Sequence, residues 1–158
     1  MTSGPGPAEG YDPSDYPPFA VTADVVVIAV HDGRAEVLLV QRGQEPFQGR
    51  WALPGGFVHI DEDLEDAARR ELAEETGIEA EELRQLRAYG TPGRDPRMRV
   101  VTVVFLTEVD SSVDHKAADD AADTRFWPLH DVVADPDLLG FDHHRIIVDA
   151  MSELGGPR

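Results

Sequence analysis

Short apolar runs alternate along this chain with breaks rich in glycine, proline and acid. Residues 20–30, AVTADVVVIAV, are β-branched and apolar and predict a buried strand. The Asp-Gly of HDGR, 31–34, predicts a hairpin turn, with 35–42 as the return strand. GQEPFQGR, 43–50, is a loop, and WALPGGFV, 51–58, a short strand broken at Pro54-Gly55-Gly56. The stretch from Asp61 to Thr76 predicts a helix, with Asp61 as N-cap and Gly77 as the left-handed residue that ends it. Residues 83–90 and 99–109 are strands separated by the turn-rich TPGRDPR, 91–97. An acidic loop at 110–123, a short strand at 124–129 and a helix at 141–154 complete the order. Residues 1–18 read as a flexible arm and 19–158 as one domain. Strands alternating with two real helices predict helices packed on a mixed sheet, α+β or α/β.

The helix carries an anomaly. With Glu71 set at zero and about 100° per residue, Glu74 falls near 300° and Glu75 near 40°. On the same wheel Leu64 falls near 20°, Ala67 near 320°, Ala68 near 60° and Leu72 near 100°, so the acids share the apolar stripe. A charge run on a helix is ordinarily a solvated face. Burying three carboxylates unpaired is very costly. The ways out are raised pKa values, a paired arginine or a divalent cation. Arg70 lies four residues before Glu74 and can pair with it, but one arginine cannot neutralise three acids. Hard cations take oxygen ligands, and magnesium commonly combines a few carboxylates with substrate phosphates. A metal site is the best physical reading.

Composition narrows the chemistry. The chain has 158 residues and no cysteine, which excludes disulfides, thiolate metal sites and cysteine nucleophiles. The formal charge of −17 argues against a general nucleic-acid binder. No apolar run is long enough for a membrane span, and the N-terminus lacks a basic start followed by an apolar stretch, so a cytoplasmic location is expected. Of 14 basic residues only Lys116 is lysine, which reads as compositional bias.

Residues 56–78, GFVHIDEDLEDAARRELAEETGI, resemble a complete Nudix box, with Gly56, Glu62, Arg70, Glu71, Leu72, Glu74, Glu75, Gly77 and Ile78 in its fixed slots. The resemblance to Nudix hydrolases runs from about Ala20 to the last helix. It implies an α/β/α sandwich with a mixed sheet and hydrolysis of a nucleoside diphosphate linked to another group. It further implies that Glu71, Glu74 and Glu75 bind magnesium or manganese, assisted by the Gly56 carbonyl and Glu62. Arg70 would hold the acids in place. Such ions neutralise the diphosphate and acidify a bound water, whose proton a carboxylate can take. Glu74 is the candidate base on the helix; Asp119, Asp120 and Asp123 are the alternatives on the acidic loop.

TPGRDPRMRVVTVVFL, 91–106, and FDHHRII, 141–147, resemble segments of bacterial ADP-ribose pyrophosphatases, and Pro92 lies close to the position of a proline found in many of them. The implied reaction is ADP-ribose to AMP and ribose 5-phosphate. Arg94, Arg97 and Arg99 are candidate contacts for phosphate or ribose. Arg97 and Arg99 also have the spacing of one exposed strand face. Arg42, at a strand end, is a candidate phosphate contact. Trp51, with Phe19 and Phe47 behind it, is a candidate for stacking on adenine. His143 and His144 read as helix-start histidines making ordinary hydrogen bonds. The competing readings are hydrolysis of 8-oxo-dGTP or another nucleoside triphosphate, and a non-catalytic sensor of ADP-ribose or a related metabolite. The intact box and the negative charge weigh against the sensor. Related ADP-ribose enzymes are often dimers, and a homodimer exchanging the 1–18 arm is compatible with the sequence.

Overall fold

A computed structural model of the chain describes residues 10–115 and 121–154. Its centre is strand β1 (Ala20–His31), which pairs antiparallel with β2 (Arg34–Arg42) and parallel with β6 (Val100–Glu108). Two short strands follow β2: β3 (Trp51–Ala52) pairs with its far end, and β4 (Gly55–Phe57) turns back onto the first half of β1. Strand β5 (Arg84–Tyr89) flanks β6, and β7 (Ala121–Pro128) flanks β2. The sheet is therefore mixed. The predicted hairpin is present, with Asp32 and Gly33 both at positive φ (50° and 77°), as a tight two-residue connection requires.

Helices cover both faces, which explains why β1 is apolar almost without alternation. Ala23, Val25 and Val27 point to one side, with Ala67, Ala68 and Leu72 of α1 (Leu64–Thr76). Val26 and Ile28 point to the other, with Val132 of α2 (Leu129–Ala134) and Ile146, Ile147 and Ala150 of α3 (His143–Leu154). This is the α/β/α sandwich expected from the resemblance. Helix α2 is absent from the sequence reading; six residues are too few to show a helical period.

Helix α1 begins later than Asp61. Its N-cap is Asp63, extended at φ −75° and ψ 160°, whose carboxylate accepts the Leu64 N–H. Gly77 ends the helix at φ 75°, and its N–H reaches the Ala73 carbonyl at 2.9 Å. Of the proposed arm, residues 10–18 are exposed and include a short turn at Pro13–Asp15; residues 1–9 lie outside the described part.

Candidate active site

The Pro54-Gly55-Gly56 break brings the site together. Strand β4 lies antiparallel along Thr22–Asp24 in the same sheet, its two glycines facing opposite ways. A β-carbon added at Gly55 would strike Asp24 and the Ala23 carbonyl; one added at Gly56 would fall 2.5 Å from the Glu71 Cδ and Oε1. Two carboxylates thus flank the glycine pair from its two sides. A cavity of about 440 Å³ opens here, lined by Asp24, Glu71, Glu75, Arg42, Arg97 and Phe141 among others.

The acids of α1 differ in environment. Ala67, Ala68, Leu72 and Thr76 are buried, and Glu71 and Glu75 lie on the flank of that stripe. The Glu71 side chain is 14% exposed, whereas Glu74, at the edge of the arc, is 61% exposed. Glu75 accepts the Gly55 N–H at 3.1 Å. Burial pushes the Glu71 pKa up, against the opposing pull of Arg70.

Arg70 is the hub. Its guanidinium donates to Glu62 through two nitrogens (3.0 and 2.6 Å), to Glu71 (2.8 Å), to Glu74 (3.2 Å) and to the Phe57 carbonyl (3.1 Å). Helical spacing suggested only the Glu74 pair; the resemblance implied that Arg70 holds the acids together. The Arg70 fork, with the His59 N–H, pulls the Glu62 pKa down to about 2. Arg70 also ties β4 to α1, so the walls of the site are joined by charge-assisted hydrogen bonds.

Among the described residues no three carboxylate or imidazole groups are already gathered as a metal cage. The donor chemistry nevertheless fits a hard divalent cation. The candidate donors are oxygens only, Glu71 and Glu75 line the cavity, and a single arginine serves several acids. A cation beside Glu71 would relieve the burial that now disfavours its charge.

The substrate candidates separate. Arg42 and Arg97 line the cavity. Arg97 lies 5.1 Å from the Phe57 ring centre and 5.6 Å from that of Phe141; Arg42 lies 4.9 Å from the Phe141 ring. Burial opposes ionisation of Asp95, but its hydrogen bonds from the Arg97 side chain and backbone outweigh this and hold its carboxyl below the usual range. Arg94 also lines the cavity but is committed as a clasp: 4% exposed, it donates to both Asp142 oxygens (2.9 and 2.6 Å) and ties the β5–β6 loop to the entrance of α3.

Arg97 and Arg99 do not share a strand face, because β6 begins at Val100. Arg99 stacks on Phe19 at 4.7 Å, away from the cavity lining. Trp51 is also a correction. It lies in the core, edge-on to Trp127 at 5.2 Å, and is not among the residues lining the cavity. The aromatic faces at the site are those of Phe57 and Phe141. Of the alternative bases, Asp119 and Asp120 lie outside the described residues, while Asp123, within β7, accepts the N–H of its neighbour Thr124 and is not among the residues lining the cavity.

Two lining residues stand out: the sequence reading did not single out Asp24, and it placed His143 at a helix start with ordinary hydrogen bonds rather than in the cavity wall. His143 is buried, accepts the Leu53 N–H at Nδ1 (3.0 Å) and holds the turn before β4. Asp24 is buried beneath Gly55 and accepts the Thr102 hydroxyl at 2.5 Å. The available signal was an acid inside a strand otherwise apolar, which a buried carboxylate justifies only with partners.

A family model described as NUDIX domain matches residues 21–149. An ADP-ribose pyrophosphatase of Methanocaldococcus jannaschii is 39% identical over 132 residues, spanning 84% of this chain and 75% of that protein. The ADPR responsive transcriptional repressor NtrR of Acinetobacter baylyi is 34% identical over 146 residues, spanning 91% of this chain and 58% of the repressor. Among solved structures, the NUDIX domain of Shewanella oneidensis NrtR, complexed with ADP ribose, has a TM-score of 0.82 at 37% identity and covers 92% of this chain and 94% of that one.

Proposed function

The chain belongs to the Nudix family and is a Nudix pyrophosphatase, and from that premise we propose that it hydrolyses ADP-ribose to AMP and ribose 5-phosphate with magnesium or manganese. The observation that carries this reading is the meeting of three features in one cavity. Glu71 and Glu75, Arg42 and Arg97, and the Phe57 and Phe141 rings all line it, with the arginines lying over the rings. Such a cavity suits a diphosphate joined to a planar base and sugars. The resemblance to an ADP-ribose pyrophosphatase and to an ADP-ribose-bound NUDIX domain supports this substrate over 8-oxo-dGTP.

Glu71, Glu74 and Glu75, with the Gly56 carbonyl and Glu62 in support, would hold the ion. When bound, it supplies charge neutralisation of the diphosphate and lowers the pKa of a water. Arg42 and Arg97 bind and orient the phosphates. Water adds to one phosphorus, the bridging P–O bond breaks, and Glu74, the exposed acid of the set, accepts the proton of the attacking water. Arg70 keeps the acids from splaying apart.

The test is an assay of ADP-ribose, NADH, dinucleoside polyphosphates and 8-oxo-dGTP with magnesium, with product identification. AMP from ADP-ribose is expected to dominate, and Glu74→Gln is expected to lower kcat by about 100-fold or more. A Glu74→Gln protein that works like the parent, or a clear preference for 8-oxo-dGTP, removes the reading. The relation to the repressor supports a second reading, ADP-ribose sensing. Tight ADP-ribose binding without turnover in manganese would select it.

A further inference from the structure

Asp24 and His143 play no part in the hydrolytic step above, yet both line the cavity while 7% and 5% exposed. Asp24 lies on the α3 side of the sheet, across the glycine pair from Glu71. A carboxylate has about four acceptor positions. Within the chain Asp24 takes a hydrogen bond from the Thr102 hydroxyl, and His143 Nε2 stands 3.9 Å away, beyond bonding range. Burial pulls the pKa of the His143 ring down, against the opposing pull of Asp24. Its Nδ1 accepts the Leu53 N–H, which leaves the proton on Nε2. A buried acceptor and a buried donor therefore face one gap in the cavity wall.

A gap of 3.9 Å between donor and acceptor is too wide for them to satisfy each other and suits one oxygen between them, about 2.8 Å from each. A group that donates to Asp24 and accepts from His143 through the same atom is a hydroxyl, or a water that a substrate hydroxyl displaces. We propose that Asp24 and His143 form a bracket that binds a sugar hydroxyl of the substrate, making the enzyme selective for ribose over deoxyribose at that position. The inference rests on the ADP-ribose reading for its ligand. The hydroxyl belongs to the adenosine ribose or to the terminal ribose, and the two sources share this chemistry.

The experiment measures binding of ADP-ribose, of analogues lacking each sugar hydroxyl in turn, and of its inosine counterpart. Calorimetry in calcium is combined with kcat/KM in magnesium. One deoxy analogue is expected to bind about ten- to hundredfold more weakly, as for a lost hydrogen bond to a charged group. Which analogue it is identifies the sugar. In Asp24→Asn and in His143→Gln that ratio should fall to about one, whereas a merely structural role would weaken all ligands alike. Equal binding of all deoxy analogues by the parent protein overturns the proposal even if both variants fail to fold. Discrimination confined to inosine, or ratios unchanged in both variants, also overturns it. If ADP-ribose does not bind, the substrate reading fails and the bracket is read on GTP against dGTP. A ribose preference that collapses in the variants then sustains it, and no preference or no binding overturns it.

Discussion

A methyl group on Gly56 tests the site with the smallest perturbation available. Its carbon would sit 2.5 Å from the Glu71 Cδ and Oε1 and 2.7 Å from Oε2. Carbon contacts settle at about 3.5–4.0 Å, so the overlap is about 1 Å. Gly56 lies in a strand at ordinary φ, so alanine brings no backbone strain and acts through the clash alone. The atoms in its way end a side chain that can swing, so the fold should survive at a cost of about 1–3 kcal/mol. For a chain of this size that lowers Tm by about 2–4 °C per kcal/mol. The displaced carboxylate is the buried acid of the set, and misplacement by about 1 Å can cost roughly 100-fold in rate. Gly55→Ala is the control. Its carbon would meet the Ala23 carbonyl and lie 2.8 Å from the Asp24 Cα, which are backbone of the central strand and cannot swing away. Gly55→Ala should lower Tm more than Gly56→Ala does. The assay pairs kcat/KM for ADP-ribose in magnesium with thermal unfolding of both variants. A Gly56→Ala enzyme within about threefold of the parent, or a Tm order opposite to this one, refutes the reasoning.

Two other outcomes follow from the same geometry. Arg97→Ala, which removes a cavity cation and leaves the buried Asp95 carboxylate without its fork, should raise KM for ADP-ribose about tenfold and also lower Tm; Arg94→Ala, which leaves Asp142 without its clasp, should lower Tm by several degrees. Tyr89 is buried and donates to Asp149 at 2.8 Å, and burial followed by that bond pushes its pKa up to about 12. The raised value means that its stabilising contribution is whole below the ordinary tyrosine pKa of about 10 and is lost as pH climbs from there towards 12. Ultraviolet titration should show one late-ionising tyrosine that Tyr89→Phe abolishes.

Sequence alone determined the elements whose cause is local. The β1–β2 hairpin follows from an Asp-Gly turn between apolar runs, and the end of α1 from Gly77, because these conformations depend on neighbours in the chain. The α1 face was legible for the same reason: a helical period places Glu71 and Glu75 beside Ala68 and Leu72 wherever the helix packs. Residue identity at fixed spacing carried the family as well. The tertiary structure decided which arginines and aromatics reach the cavity. Arg94, Arg97 and Arg99 lie within six positions, yet Arg94 in the cavity wall clasps Asp142, Arg97 lies over the rings of Phe57 and Phe141, and Arg99 covers Phe19 outside the lining. Trp51 went into the core because β3 lies against β2 and its ring meets Trp127 from a distant strand. Asp24 and His143 are far apart in sequence and have no local pattern in common. Only the packing of α3 against the sheet sets them either side of one gap, and pairing across the fold is information that periodicity does not hold.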